Sequence, residues 1–277
     1  MSAPTYRSET PEVLTAIYRL FREYFDQAER KRRWSMKDDV PWDSVSSGLN
    51  PAISDVVETF CAVELFLPDY LAKTIPGVRA MRGRAWFFAN WGYEESKHSM
   101  VLEDWLLRSK ARTDEQMADL HKDVVAHEWQ VPYDDNRIMV CYTLVQELAT
   151  WLHYVQLRKI VEAEGGCPAL QRILTLVSVD ERAHYDFFRR MVGIYLDFDR
   201  EGTIEALRQV VNSFAMPSIH LLTDSKARIA AVRDMFIFDD HIYMDHVVAP
   251  VLKHLGLTRQ DLRRKVRREF TPNGVSS

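Results

Sequence analysis

Apolar residues recur every three or four positions along most of this chain, a pattern typical of amphipathic α-helices rather than strands. Four long helices are predicted, at roughly 51–73, 77–108, 134–163 and 168–197. Further helices are predicted over 10–33, 112–127, 202–213, 224–240 and 245–267. The prolines, serines and glycine of 34–51 indicate a connecting loop. We expect an all-α fold, with one domain over 1–270 and a disordered tail over 271–277.

Two of the long predicted helices contain the same motif, a glutamate followed three residues later by a histidine. The pairs are Glu95 with His98 and Glu181 with His184. At 3.6 residues per turn, the two side chains of each pair share a helix face and can bind the same metal ion. A chain with 18 glutamates and 9 histidines contains about 0.6 such pairs by chance, so the motif alone is weak evidence.

Each motif is preceded by another long helix that has a single glutamate within an apolar face. Glu64 lies 31 residues before Glu95, and Glu147 lies 34 residues before Glu181. Antiparallel packing of the four helices would therefore bring four carboxylates and two imidazoles together. Ionised carboxylates in a dry core cost several kcal/mol unless they are paired or bind a metal. We predict a two-metal site, with iron or manganese favoured over zinc by the oxygen-rich ligands; the alternative is surface glutamates with histidines in the core.

Four neighbouring residues extend this prediction. Glu94 and Asp180, which precede the two motifs, could accept the second N–H of the imidazole from the opposite pair, or could be solvated helix residues. Pro68 removes the helical N–H partner of the Glu64 carbonyl, which predicts a kink beside a ligand. Thr150 shares a face with Glu147, and could contact oxygen at the metals and relay a proton, or could bond to its own helix.

Composition excludes several other classes of protein. The net charge of −4 gives no reason to expect a nucleic-acid partner. The three cysteines lack disulfide or metal spacing and fit a reducing cytosol, with Cys61 and Cys141 expected to be buried. No stretch approaches the length of an apolar membrane span, and the N-terminus lacks the pattern of a signal peptide. We therefore expect a cytoplasmic protein without a membrane span.

At these residues the chain resembles the soluble acyl-[acyl-carrier-protein] desaturases, a ferritin-like di-iron family. The shared motifs are ELFLPDY around Glu64, WGYEESKH from Trp91 to His98, QELAT around Glu147 and Thr150, and DERAH around Glu181 and His184. The interval of 52 residues between Glu95 and Glu147 also resembles these desaturases, whereas it is much longer in the ribonucleotide reductase small subunit. The resemblance implies a ferritin-like four-helix bundle with a di-iron site and additional N- and C-terminal helices. It also implies that Trp91, Glu94 and Asp180 surround the cofactor.

The resemblance further implies a homodimer that receives electrons from ferredoxin or a similar donor. With two iron ions per chain and O₂ as co-substrate, such an enzyme introduces a cis double bond into an acyl chain attached to acyl carrier protein. Carrier protein is acidic, so the basic segments Lys31–Arg33 and Arg79–Arg84 are candidate docking sites, the alternative for each being a solvated helix end.

Other functions remain open at this point. Phe188 occupies a position where many relatives have tyrosine, so the phenol that they have near the iron is missing here. A di-iron oxygenase, hydroxylating or N-oxygenating another small or carrier-bound substrate, is the main alternative. A ferritin-like iron store without turnover is disfavoured by chain length. A radical-generating reductase subunit would need a tyrosine near the cluster.

Overall fold

The computed structural model describes residues 8–263, and every regular element within that range is helical. The longer helices are α1 (Pro11–Gln27), α2 (Pro51–Glu64), α3 (Leu67–Val78), α4 (Arg82–Arg108), α5 (Asp114–Val125), α6 (Asn136–Ala163), α7 (Pro168–Phe198), α8 (Arg200–Ser213) and α9 (Ser225–Asp234). The short α10 (Asp240–Ile242), α11 (Ala249–His254) and α12 (Arg259–Arg263) follow. The predicted all-α, ferritin-like fold is confirmed.

Helices α2, α4, α6 and α7 form the central bundle. Helix α6 packs along α7, α2 packs on α4, and α1 covers both α4 and α7. Two apolar clusters fill the interior, and in α4 the segment 94–98 separates them. Phe87 and Trp91 belong to one cluster, while Val101 and Trp105 belong to the other. The polar segment of α4 therefore lies between two well-packed regions.

The break predicted from Pro68 is present. Helix α2 ends at Glu64 and α3 begins at Leu67, so the predicted helix 51–73 is two helices, the second of which extends to Val78. Proline is tolerated at the second position of α3, because a backbone N–H at that position would have no acceptor within the helix.

The prediction of one helix over 245–267 was wrong. A helical segment runs from Asp240 to His254 through a π-helical stretch, and α12 begins only at Arg259. Gly256 adopts a positive φ of 65°, a conformation that suits glycine and ends the preceding helix. The end of the predicted helix and the predicted tail 271–277 lie outside the described residues.

Two glycines allow close approach to α4. A Cβ atom at Gly83 would lie 2.8 Å from the backbone nitrogen of Tyr18 in α1, and one at Gly92 would lie 2.7 Å from Leu71 in α3. Helix α1 thus packs directly against the backbone of α4, which brings its C-terminal end towards the centre of the bundle.

Cys61 and Cys141 are fully buried, as predicted, and Cys167 is buried with them. Between residues 8 and 263, none of the helices has the length and apolar character needed to cross a lipid bilayer.

Candidate metal centre

All six predicted ligands meet in the interior of the bundle. They form two overlapping groups of four, one with Glu64, Glu95, His98 and Glu181 and one with Glu95, Glu147, Glu181 and His184. Within each group the candidate ligand atoms all lie within 4.8 Å of one another. Every member is buried. Because Glu95 and Glu181 belong to both groups, the arrangement could hold two ions bridged by carboxylates.

Both imidazoles present the same nitrogen to the centre. His98 Nδ1 lies 3.0 Å from Glu95 Oε2, and His184 Nδ1 lies 3.0 Å from Glu95 Oε1. The outer nitrogens face acids, since His98 Nε2 donates to Asp180 at 3.4 Å and His184 Nε2 donates to Glu94 at 2.9 Å. In a neutral imidazole, a proton on the outward Nε2 leaves Nδ1 unprotonated and available to a metal. Each acid contacts the histidine of the opposite motif. This is the geometry expected if Glu94 and Asp180 accept the second N–H of these imidazoles.

Unpartnered atoms provide a test of whether a metal fits. Among the described residues, Glu147 Oε2, both carboxylate oxygens of Glu181 and His184 Nδ1 are buried without a hydrogen-bond partner. Buried polar atoms nearly always have partners, so a cluster of bare acceptors needs an explanation. Cations between these oxygens and the imidazole nitrogens would satisfy them all, and the donor set therefore fits two metal ions.

The electrostatics of the cluster fit the same conclusion. Burial raises the pKa of Glu64 and of Glu147 well above the usual value, and the neighbouring carboxylates add to both shifts. Burial would also raise the pKa of Glu181, but the two nearby histidines outweigh it and lower that pKa to about 2. Burial would lower the pKa of His98, yet Glu95 and the other acids around it raise this pKa. Without cations, the cluster is thus neutralised by protons, which metal binding would displace.

A cationic layer supports the two outer acids. Arg32 donates to Asp180 Oδ1 at 2.7 Å and to Glu94 Oε1 at 3.1 Å, and Trp34 Nε1 donates to Asp180 Oδ2 at 2.7 Å. Tyr24 also donates to Glu94. Burial would raise the pKa of Asp180 and of Glu94, but the contacting histidines and Arg32 lower both. Both acids therefore remain charged and able to orient the imidazoles.

These contacts correct the expectation for the two basic segments. Arg32 has only 11% of its side chain exposed and points to the metal centre, so it does not form part of a docking patch. Arg84 is fully buried and pairs with Glu9, whereas Arg79 and Arg82 are exposed. The interpretation of these segments as docking sites was wrong for Arg32 and Arg84, and Arg33 likewise forms an ion pair with the buried Glu94.

Two ligand glutamates accept hydrogen bonds from different aromatic residues. Trp91 Nε1 donates to Glu147 Oε1 at 3.1 Å, and the Tyr154 hydroxyl donates to Glu64 Oε1 at 2.6 Å. Sequence reasoning missed Tyr154, although its position two helical turns after Glu147 places it on the same face. Two tyrosines at other positions do lie near the centre: Tyr154 lies against one ligand, and Tyr24 lies against an acid that contacts His184. Phe188 packs instead against Phe87.

Thr150 bonds to its own helix, which is one of the two alternatives predicted for it. Its hydroxyl donates to the carbonyl oxygen of Gln146 at 3.0 Å. The side chain is 9% exposed, and its residue follows Glu147 by three positions. A role in proton relay thus remains a prediction.

An apolar cavity of about 30 Å³ lies beside the Glu147 half of the centre. Its walls are formed by Tyr70, Thr74, Phe88, Trp91, Trp129, Met139, Tyr142, Thr143, Gln146 and Pro217. Trp91 belongs to this wall and also donates to Glu147. A molecule in the cavity would thus be one side chain away from a ligand of the centre.

A helical bundle that encloses four carboxylates and two imidazoles defines a ferritin-like protein with a candidate two-metal centre. Residues 62–268 match the family model described as fatty acid desaturase, and the chain belongs to this family, in its acyl-[acyl-carrier-protein] desaturase group. DesA1 of Mycobacterium tuberculosis, which is named as such a desaturase, is 23% identical over 245 residues, covering 79% of this chain and 70% of that protein. The stearoyl-[acyl-carrier-protein] 9-desaturase 6 of Arabidopsis thaliana is 27% identical over 169 residues, or 58% of this chain and 43% of its own length.

Solved structures show the same fold. DesA2 of Mycobacterium tuberculosis matches with a TM-score of 0.67 and 18% identity, over 91% of this chain and 98% of that chain. An R2-like ligand-binding oxidase with a Mn/Fe cofactor matches with a TM-score of 0.56 and 13% identity, over 92% and 96% of the two chains. Family membership supports an oxidoreductase, and the fold is one that houses a two-metal cofactor in the R2-like oxidase.

Proposed function

We propose that this protein is an O₂-dependent desaturase that introduces a cis double bond into an acyl chain attached to acyl carrier protein. The observation that carries the proposal is the connection between the candidate metal centre and the apolar cavity through Trp91. Family membership and the similarity to proteins named as acyl-[acyl-carrier-protein] desaturases support the reaction and the carrier.

In this proposal, two iron ions would be held by Glu64, Glu95, His98, Glu147, Glu181 and His184. Two iron ions bound there would activate O₂ and supply the oxidising power to remove two hydrogens from adjacent carbons.

The protein's own contribution is orientation and exclusion of water. Asp180 and Glu94 fix the imidazole rings of the two histidines, and Arg32 holds both acids in place. Trp91 orients Glu147 while forming part of the cavity wall. Full burial of the ligands keeps bulk water from the reacting carbons.

The cavity must enlarge to accept an acyl chain. A volume of about 30 Å³ holds one or two water molecules. Pro217 lies in the 214–218 segment, which is attached to the wall by the Tyr142 hydroxyl bonding to the carbonyl of Ala215 and the Tyr70 hydroxyl bonding to Ser218. Movement of this segment is the route by which we expect an acyl chain to enter.

Electrons would come from reduced ferredoxin or a similar donor, and the enzyme would act as a homodimer. A di-iron oxygenase acting on another small or carrier-bound substrate is the second candidate, since a cavity of about 30 Å³ would admit a small molecule with less rearrangement than an acyl chain requires. The two functions differ in product: the desaturase removes two hydrogens, whereas the oxygenase adds an oxygen atom.

The test starts with metal analysis of the purified protein, which also separates iron from a mixed manganese–iron centre. The reduced protein is then incubated with O₂ and with acyl carrier protein loaded with acyl chains of several lengths, and the masses of the products are measured by mass spectrometry. Loss of two hydrogens supports the proposal; an added oxygen atom, or no O₂ consumption with any acyl substrate, contradicts it. Glu147→Ala should lose one metal and all turnover, while Glu162→Ala, an exposed position on the same helix, should lose neither.

A further inference from the structure

A second cavity, of about 180 Å³, lies where the first turn of α2 meets the C-terminal end of α4. Its wall also includes parts of the segment before α2 and of the segment 110–112 after α4. Among the residues that the structure describes, this wall contains none of the six candidate metal ligands and shares no member with the wall of the apolar cavity beside Glu147. We call it the α2–α4 cavity, and it is separate from the site of the proposed function.

The wall of the α2–α4 cavity contains a buried donor that has no acceptor. Trp105 of α4 lines the cavity and is only 1% exposed. Its indole Nε1 has no hydrogen-bond partner within residues 8–263. A buried N–H group nearly always has a partner, because leaving it unpaired costs free energy. An acceptor oxygen held in the cavity would satisfy this N–H group.

Other donors line the same cavity. The hydroxyls of Ser46 and Ser54 have no hydrogen-bond partner in the described part of the chain, and both can donate. Pro51, the first residue of α2, is also part of the wall. The cavity therefore lies at the positive end of the dipole of a 14-residue helix, where negative charge is stabilised.

The wall carries one positive charge that is not neutralised. Arg112 donates to Asp55 Oδ1 at 2.6 Å and also pairs with Glu58, so its charge is compensated by acids outside the wall. Lys110 is exposed and forms no ion pair within residues 8–263. The unpaired ammonium of Lys110 and the bare N–H of Trp105 together favour a ligand with a single negative charge.

The backbone of Lys110 is in a conformation that favours glycine. Helix α4 ends at Arg108, and Lys110 follows with a positive φ of 61°. The N–H of Arg112 bonds to the carbonyl of Leu106 at 3.1 Å, the bond that closes a helix at such a turn. Glycine is the usual residue at this position, because a side chain there is strained. A lysine that persists in a strained conformation is more common at functional sites than elsewhere.

We propose that the α2–α4 cavity binds a small organic carboxylate. Its oxygens would accept from the Trp105 indole and the Lys110 ammonium, a charge-assisted contact. Its carbon chain would lie on the apolar part of the wall, which includes Leu49, Pro51 and Ala111. The volume is below the range of about 300–1,000 Å³ that drug-sized ligands occupy, so the chain would have only a few carbons. This site goes beyond the proposed function and does not depend on it.

The first test follows the indole of Trp105 directly. The full-length chain has seven tryptophans, so ¹⁵N-tryptophan labelling gives seven indole N–H signals, and the one lost in Trp105→Phe belongs to Trp105. Butyrate should move this signal alone, with saturation and a Kd of about 1 mM or lower. Acetate should bind about tenfold more weakly, because it buries two fewer CH₂ groups. Sodium chloride at the same ionic strength is the control and should leave the signal in place.

The second test changes the lysine. Lys110→Gln removes the charge and should weaken butyrate binding about tenfold in calorimetric titration. Lys159→Gln, an exposed lysine on α6, is the matched control and should bind as the wild type does. Lys110→Gly should weaken binding as much, yet raise the melting temperature, because glycine relieves the strain at this φ. These variants keep the test available if Trp105→Phe does not fold.

Several results would overturn the inference. One is a Trp105 signal that butyrate does not move, or that chloride moves equally. Another is unchanged butyrate binding in Lys110→Gln. Tighter binding of inorganic phosphate than of butyrate would also contradict it, because phosphate has no carbon chain for the apolar wall. Neither metal content nor turnover is a readout here, so the result stands apart from the test of the proposed function.

Discussion

Tyr154→Phe removes one hydroxyl from the Glu64 half of the candidate centre and keeps the ring. The hydroxyl donates to Glu64 Oε1 at 2.6 Å, and Tyr154 is 1% exposed. In the metal-free protein, the raised pKa of Glu64 favours its protonated form, so the bond there is between neutral groups and contributes about 1 kcal/mol. When a cation binds, Glu64 is ionised, and the same bond contributes about 1.5–3 kcal/mol.

The difference of about 0.5–2 kcal/mol is the contribution of Tyr154 to metal binding. At 1.4 kcal/mol per tenfold change, its loss should weaken the metal site at Glu64 and His98 by about 2- to 30-fold. That overlaps the range seen when residues that support metal ligands are replaced. The second site, at Glu147 and His184, should keep its affinity because its support comes from Trp91.

A competition titration of ferrous or manganous ion against a chromophoric chelator resolves the two sites. Tyr142→Phe is the matched control, because Tyr142 is a buried tyrosine of the same helix whose hydroxyl bonds to the carbonyl of Ala215 instead of a ligand. Two unchanged affinities in Tyr154→Phe, or an equal loss in the control, would refute the reasoning.

Three further predictions follow from the same contacts. Thr150→Val should keep its metals but slow O₂ consumption or uncouple it from product; an unchanged rate would leave only the structural role shown by the bond to Gln146. Gly83→Ala should lower the free energy of unfolding by about 1–3 kcal/mol, because its Cβ meets the backbone of α1. Gly193→Ala, which has open space, should instead raise it by up to about 1 kcal/mol; equal effects in denaturant unfolding would contradict this. Metal-free protein should be most stable in mildly acidic buffer. The contributions of Asp180 and Glu181, whose pKa values are lowered, disappear as pH falls through those values, while the contributions of the groups with raised pKa values (Glu64, Glu147, His98 and His184) disappear as pH rises. Thermal unfolding across pH, with and without ferrous ion, tests this; a metal-free optimum in alkaline buffer would contradict it.

The sequence predicted the helices and the grouping of the six acids and histidines because both follow from periodicity. A glutamate inside an apolar helix face is costly to bury, so its position carries information that an exposed glutamate does not. The break after Glu64 was predictable for a similar reason, since proline removes a specific backbone donor.

Arg32 and Trp34, which support the two outer acids, could not be predicted, because their roles depend on how α1 ends. The run from Arg30 to Arg33 has the composition of a solvated helix end. A π-helical turn over Ala28–Arg32 closes α1 instead, and Arg32 points inward to Glu94 and Asp180. Tyr154 was missed because a buried tyrosine on a helix is usually part of the core, and only the folded structure shows its contact with Glu64.

The two halves of the candidate centre have matching ligands but different surroundings. Glu64 is held by the phenol of Tyr154, which packs among apolar residues such as Phe60. Glu147 is held by the indole of Trp91, which also lines the cavity, and the bare oxygen Glu147 Oε2 and the bare nitrogen His184 Nδ1 belong to this half. An organic substrate in the cavity would approach the metals past Trp91, on the Glu147 side, whereas Tyr154 on the Glu64 side packs against the ring of Phe60. The two halves of the centre would then differ in their access to substrate although their ligands are nearly the same. The difference would come from the aromatic residue that donates a hydrogen bond to each glutamate, Tyr154 in one half and Trp91 in the other.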